Sequence, residues 1–431
     1  MPKKIAVIGG GFSGTMVIRQ LIDLGFHGQI TRFHSVDSQT LGPAYQTKIT
    51  SLLLNVRSQN MSAFPDKPDD FCSFLRANFP EYSDPSSFVP RKIYGSYLEK
   101  IWNETKQLAK EKNIDLDTKQ NQSPAFEEYD TVILATGNEL PRIPRELPEE
   151  LSSSDFFHGN PWHIHFDEIP SDKPIFILGN GLTMVDTVLS LRSNGFQHQI
   201  LSLSRHGFQM FAHPETAQQA LETSSPENTD LASLFQFLHL ERKKRPTEQL
   251  LSMIDAHRSN FSGWWLGFSL EEKKRFLHHL RHLWGSIRHR IPSEIEHKIT
   301  EERNSGRLEV CAGKLVSVKE TYNGLSIHYQ INGQEKKGDF ACLINCTGPE
   351  TSISKMNNPV IQTLAKNEWI VADELDYGIK INPGNHLAIG RAPIPIYAMG
   401  NLCKGTLWES TAIAELRSQA KLIAKGIMDI N

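Results

Sequence analysis

A chain of 431 residues exceeds what one hydrophobic core usually supports, so two domains, or one carrying a large insertion, are expected. Lys and Arg total 46 against 49 Asp and Glu, a formal net charge of -3, which leaves no global basic field for nucleic acid or anionic lipid. No run reaches the roughly 18 apolar residues of a membrane span, the start lacks a signal-peptide pattern, and the five cysteines show no paired spacing, so a soluble, cytoplasmic protein without membrane or nucleic-acid partners is expected.

The chain opens on an apolar strand, Ile5-Ala-Val-Ile8, that runs into Gly9-Gly10-Gly11-Phe12-Ser13-Gly14 and then a helical run from Thr15 to Leu24. This is a G-x-G-x-x-G turn in the right context. Gly9, Gly11 and Gly14 permit the tight turn and a close backbone approach, and with Phe12 and Ser13 they lead into a helix whose N-terminus suits a pyrophosphate. A ribose partner is expected about 20 residues on. His34 has the position, directly after the strand Ile30–Phe33, and Asp37 has the chemistry; Asp37 is preferred and His34 stays open. A second apolar strand ends in Thr136-Gly137.

Residues 141–173, rich in Pro and Ser, read as a linker. The strand-and-turn unit then recurs. Ile175-Phe-Ile-Leu178 leads into Gly179-Asn180-Gly181-Leu182-Thr183-Met184, which keeps Gly179 and Gly181 and lacks the third glycine. After the strand Ile200–Leu203 stands Arg205, where a site for NADH would carry an acid and a guanidinium suits the 2′-phosphate of NADPH. Gly181, Leu182 and Thr183 complete the expected NADPH turn.

From about 214 to 304 the pattern becomes helical, with Phe276, Leu280, Leu283, Trp284 and Ile287 spaced as one face of an amphipathic helix. A further strand ends in Thr347-Gly348, and the last segment reads as strand end, loop and long helix. The expected fold is α/β, with two Rossmann-like dinucleotide-binding domains: 1–140 with 341–431 for FAD, and 174–340, carrying the helical insertion, for NADPH. His163-Ile-His165-Phe-Asp167 lies in the linker and lacks the ligands of a metal site, no metal is expected, and no serine-hydrolase elbow is present.

Several blocks carry a resemblance. Gly42-Pro-Ala-Tyr45, Leu53-Leu-Asn55-Val56, Met61-Ser62-Ala-Phe-Pro-Asp66, Val89-Pro-Arg91 with Tyr94, Gly95, Tyr97 and Leu98, Trp284 with Arg288-His-Arg290, and Trp408-Glu409-Ser-Thr411-Ala412 with Glu415-Leu-Arg417 and Gln419 span nearly the whole chain. Together they resemble the family of FAD/NAD(P)-binding proteins that includes flavin-dependent urate hydroxylase and aspartate N-monooxygenase members. The resemblance implies that Asn55, Met61 and Ser62 line the flavin, and that Gly400 to Thr411, with Asn401, Trp408 and Glu409, closes over its ribityl chain and pyrimidine edge. Asn401 stands where many such flavoproteins carry Asp. The helix that starts near Thr411 would offer its N-terminal dipole to the flavin.

With FAD and NADPH both implied, the expected activity is an oxidoreductase, foremost a monooxygenase that uses molecular oxygen through a flavin C4a-hydroperoxide to hydroxylate a small polar substrate on N or C. A flavin dehydrogenase or reductase, or a non-catalytic FAD-binding sensor, is the alternative. Arg57, Arg91, Arg288 and Arg290 are the candidates for an anionic substrate or coenzyme phosphate, because guanidinium groups bind such anions bidentately.

Overall fold

Strands form on the short apolar runs, and strand and helix alternate through the first part of the chain. β1 (Lys3–Ile8), α1 (Phe12–Asp23) and β2 (Gly28–His34) precede α2 (Asp70–Asn78), α3 (Arg91–Glu111), β3 (Asp115–Gln120) and β4 (Thr131–Leu134). The middle part runs β5 (Phe157–His158), β6 (Ile175–Leu178), α4 (Leu182–Ser193) and β7 (Ile200–Ser204). Then come α5 (Leu231–Lys244), α6 (Thr247–Ala256), α7 (Phe261–Gly267), α8 (Leu270–Arg275), α9 (Arg281–Arg288) and α10 (Ser293–Asn304). β8 (Leu308–Thr321), β9 (Gly324–Ile331), β10 (Gln334–Phe340), β11 (Leu343–Asn345), α11 (Pro359–Lys366), β12 (Ile396–Ala398) and α12 (Ile413–Asp429) complete it. The computed structural model describes residues 3–35, 42–214, 226 and 228–429, so Asp37 lies outside the described residues.

Two sheets result. The first is parallel throughout, in the order β12-β4-β1-β2-β3. Ile5 and Val7 of β1 pack into the core beneath α1, α3 and α12, while Ala6 and Ile8 pack into a second core that includes α11. Both faces are therefore covered, which is why β1 is a continuous apolar run rather than an alternating one. The second sheet has the order β10-β9-β8-β7-β6-β11-β5. It is parallel from β5 to β8 and antiparallel from β8 to β10, and the long strand β8 serves both parts. In each sheet the strand order reverses beside the strand that feeds a glycine turn, β1 or β6, the place where open α/β sheets bind ligands.

The structure corrects two expected boundaries. β11 pairs with β6 and β5, so 343–345 belong to the second sheet and not to a segment starting at 341 that completes the first. β5 lies inside 141–173, so that stretch is not only a linker. The chain crosses between the sheets twice, side by side: Pro141 bridges Pro349 and the Glu350 amide donates to the Leu140 carbonyl at 3.1 Å. Gly137 and Gly348 precede these crossings at φ 79° and 89°, with open space around each. They are glycines for their backbone angle alone.

The insertion also departs from its expected form. Phe276–Leu280 is a π-helical turn between α8 and α9. The wider turn shifts the helical phase. Leu283 is consequently exposed, while Leu280, Trp284 and Ile287 still pack with buried Phe276. Among the described residues no helix is long and apolar enough to cross a membrane.

Candidate functional site

The first turn is built by three close approaches. The Gly9 amide donates to the Phe33 carbonyl and the Ala135 amide to the Ile8 carbonyl, each at 2.8 Å, which presses Gly9 against β4. A Cβ on Gly9 would stand 2.0 Å from the Ala135 carbonyl oxygen, and one on Gly14 would stand 2.0 Å from the Gly9 oxygen. Gly11 is different: a Cβ there meets only the Gly42 backbone, at 3.7 Å. The fold needs Gly9 and Gly14, whereas no close approach among the described residues requires glycine at 11. α1 begins at Phe12, earlier than expected, so Phe12, Ser13 and Gly14 all lie in its first turn, with no side-chain cap and no acid there. Their amides make no capping bond among the described residues, the arrangement that can receive an anion.

Arg32 is a residue that sequence reasoning missed. It is fully buried in β2, donates through Nη2 to the Gly10 carbonyl and lies 4.0 Å from the Trp102 ring centroid. Burial lowers its pKa to about 10. Its signal was a lone arginine inside the apolar strand Ile30-Thr-Arg-Phe33. His34 ends β2, its Nδ1 within 2.8 Å of the Ser35 carbonyl.

The second turn repeats the frame. The Gly179 amide donates to the Leu203 carbonyl and the Cys346 amide to the Leu178 carbonyl, again at 2.8 Å, and a Cβ on Gly179 would stand 2.3 Å from the Cys346 oxygen. Gly181 has open space around it. α4 starts at Leu182 and Thr183 with no side-chain cap and no acid in its first turn. Asn180, also missed, is buried; its Oδ1 accepts from Ser202 at 2.7 Å and its Nδ2 has no partner among the described residues. Arg205 is exposed and lines a depression of about 280 Å³ with Gly313, Lys314, Gln330, Asn332 and Gly333. A larger depression of about 600 Å³, lined by Leu231, Phe235, His239, Glu272 and His279 of the insertion, contains none of the expected site residues.

The C-terminal block is held shut by Gln419, whose Oε1 accepts from the Gly400 amide at 2.8 Å and whose Nε2 donates to the Ser410 carbonyl at 3.1 Å. α12 begins at Ile413, two residues after Thr411. Thr15 Oγ1, Asn401 Nδ2 and Ser410 Oγ are buried without a hydrogen-bond partner among the described residues. Leaving such groups unpaired costs about 1–3 kcal/mol each, and hydroxyl and amide donors of this kind suit the phosphates and hydroxyls of a dinucleotide. Asn55 contributes its carbonyl to His213 Nε2 at 3.0 Å, and burial lowers the His213 pKa to about 4. Met61 is core. Ser62 commits its hydroxyl to the Lys67 carbonyl at 2.6 Å. Thr136 and Gly137 follow β4 beside Gly9.

Residues 6–139 match the family model described as FAD-NAD(P)-binding. The fold is that of the two-dinucleotide-binding flavoproteins. Over its full length the chain superposes on the reduced form of ornithine hydroxylase from Pseudomonas aeruginosa with a TM-score of 0.69 at 13% identity, covering 99% of that chain. It also superposes on L-lysine 6-monooxygenase from Pseudomonas syringae with a TM-score of 0.62 at 14% identity, covering 99% of each. In sequence it is 28% identical over 231 residues to dimethylaniline monooxygenase [N-oxide-forming] 2 of Pan troglodytes. That match spans 48% of this chain and 41% of the relative.

Within this FAD-NAD(P)-binding architecture the expected C-terminal residues face the insertion. Trp408 packs with Trp265, Phe276 and Tyr377 at centroid distances of 5.1, 5.2 and 5.8 Å. Trp265 Nε1 donates to the Gly405 carbonyl at 2.9 Å, and Arg258 forks onto Glu415. Glu409, expected on the flavin, instead accepts from Trp284 Nε1 at 2.8 Å and faces Arg288 at 3.6 Å.

The four candidate arginines separate. Arg290 is fully buried on Asp255 and the Leu251 and Ile287 carbonyls, so it holds the insertion together and is not available to a substrate. Arg91 pairs with Asp186 of α4 at 2.9 Å and donates to the Leu53 carbonyl, so it ties the two sheets' helices. Arg57 donates to the Ser86 and Pro214 carbonyls. Arg288 keeps a buried Nε that makes no hydrogen bond among the described residues, and burial lowers its pKa. All five cysteines are buried, and burial pushes Cys342 and Cys346 up to about 12.

Proposed function

We propose that this chain is an FAD-dependent monooxygenase reduced by NADPH, which places one oxygen atom on nitrogen or carbon of a small polar substrate. The observation that carries the reading is the pair of matching glycine turns, each with a sterically open second glycine, Gly11 and Gly181, ahead of an uncapped helix start. FAD, when bound, accepts a hydride from NADPH and reacts with oxygen. The first turn and the amides of Phe12, Ser13 and Gly14 would hold its pyrophosphate, with Thr15, Asn401 and Ser410 supplying the unpartnered donors. The second turn would hold NADPH, with Arg205 at its 2′-phosphate.

Two observations favour oxygen transfer over disulfide reduction. The cysteines are buried thiols raised out of the reactive range, and thiol–disulfide exchange needs an accessible thiolate. The helical insertion also seals the C-terminal block with an aromatic cluster, the kind of closure that keeps water from a reactive site. Flavin-monooxygenase relatives, though matched over less than half their length, point the same way.

The test is turnover with NADPH and ¹⁸O₂ against a panel of amino acids, amines and purines, read by mass spectrometry. One ¹⁸O atom in a product is expected. NADPH oxidation that returns all oxygen as hydrogen peroxide with every substrate, while an organic electron acceptor turns over, would favour the reductase reading instead.

A further inference from the structure

We propose that the insertion, and not only the second sheet, reads the 2′-phosphate of the coenzyme: Arg281 and His282, at the start of α9, close on it opposite Arg205. The inference rests on the NADPH reading above and adds a specificity element to it.

Arg205 follows β7, the strand end where a dinucleotide fold presents its adenosine ribose. The insertion brings a second basic group to that end. The His282 ring lies 5.4 Å from the His206 ring, and His206 in turn stacks on Phe208 at 5.3 Å. Arg281 Nε donates to His282 Nε2 at 3.1 Å, and its Nη1 donates to the Tyr377 hydroxyl at 3.2 Å. Two consequences follow from those bonds. His282 accepts at Nε2, so its proton sits on Nδ1, ready to donate outward. Arg281 retains Nη2 without an acceptor among the described residues.

The cluster is not neutralised. Partial burial first, and then Arg281, Arg205 and His206, lower the His282 pKa to about 4; no carboxylate opposes them. Neither Arg205 nor Arg281 forms an ion pair among the described residues. Three cation-forming side chains from two separate elements, held around a neutral histidine with no acid among them, repel one another unless an anion joins them. A phosphate monoester on the ribose supplies that charge and enough oxygens for two guanidinium groups. The π-helical turn that ends at Leu280 immediately precedes this pair and sets the direction of Arg281.

The experiment uses the flavin-loaded enzyme and two inhibitors of NADPH-driven flavin reduction, adenosine 2′,5′-bisphosphate and 5′-AMP. In the wild type the bisphosphate is expected to bind on the order of tenfold or more tighter. Arg281→Gln and His282→Gln should each shrink that ratio severalfold while leaving 5′-AMP inhibition and flavin content unchanged. His282 is only partly covered and keeps an exposed edge, so its variant keeps the test valid where loss of the Tyr377 bond disturbs Arg281→Gln. A ratio kept by both variants but collapsed by Arg205→Ala would overturn the inference and leave NADPH selectivity standing. A wild type that does not distinguish the two inhibitors would overturn both.

Discussion

The two glycine turns share one frame and differ at two points. In both, the first glycine is pinned against the neighbouring strand's carbonyl, Ala135 in one and Cys346 in the other, and the second glycine is open. At the third position the first turn has Gly14, seated on the Gly9 carbonyl, and the second has buried Met184. Beneath the turn the equivalent strand positions carry Arg32, which grips the Gly10 carbonyl, and Ser202, which grips the Asn180 side chain. At the third position the first helix thus meets its turn backbone to backbone, while the second packs a side chain there. On the function proposed above, the first arrangement would serve a cofactor that stays bound and the second a coenzyme that must leave each cycle.

The comparison can be broken at several points. α4 lacks a third glycine but is anchored from outside by Arg91, whose partner Asp186 lies in its second turn. Arg91→Ala leaves that mostly buried carboxylate unpaired, and we expect a loss of about 3 kcal/mol by urea unfolding, with reduction by NADPH impaired more than flavin retention. Gly14→Ala forces a Cβ against backbone that cannot yield; overpacking of this kind costs about 1–3 kcal/mol, and the variant should be purified with little flavin. Unchanged flavin occupancy would show that α1 can admit a side chain here as α4 admits Met184.

His213 joins the loop after β7 to the Asn55 carbonyl, and its pKa is lowered to about 4 by burial, below the ordinary histidine value near 6.5. A lowered histidine contributes stability that is complete above about 6.5 and is lost as pH falls toward 4. The urea midpoint should therefore decline from pH 7 to pH 5, and His213→Gln should flatten that decline. An equal decline in the variant would assign it to other groups, His289 first, which burial lowers to about 3. Gly181→Ala meets no atom within 4 Å and should cost under about 1 kcal/mol of stability.

Much of this was legible in the chain. The strand, turn and helix around Gly9, the repeat at Gly179 and the two Thr-Gly strand ends follow from local rules, because a tight turn leaves glycine few substitutes. Helix onset was less legible: the glycines put it near Thr15, yet free amides at Phe12 are what an anion site requires. β11 was assigned to the wrong sheet because a three-residue apolar strand carries no mark of its partner. The arginines were least legible of all. Arg91, Arg288 and Arg290 look alike in sequence, and only packing separates one tied to Asp186, one facing Glu409 across 3.6 Å and one enclosed with Asp255.

One pair of variants separates the roles of the two turns. Gly11→Val and Gly181→Val place a branched side chain at the two open positions, where among the described residues a Cβ meets nothing nearer than the Gly42 backbone at 3.7 Å. Flavin content is read from the absorbance of the purified proteins, and anaerobic flavin reduction is followed with NADPH and then with dithionite. The account predicts that Gly11→Val is purified without flavin. It predicts that Gly181→Val is yellow, is reduced by dithionite, and is reduced by NADPH at least tenfold more slowly than wild type, about 1.4 kcal/mol or more. A Gly181→Val protein that loses its flavin, or one that NADPH reduces at the wild-type rate, would contradict it.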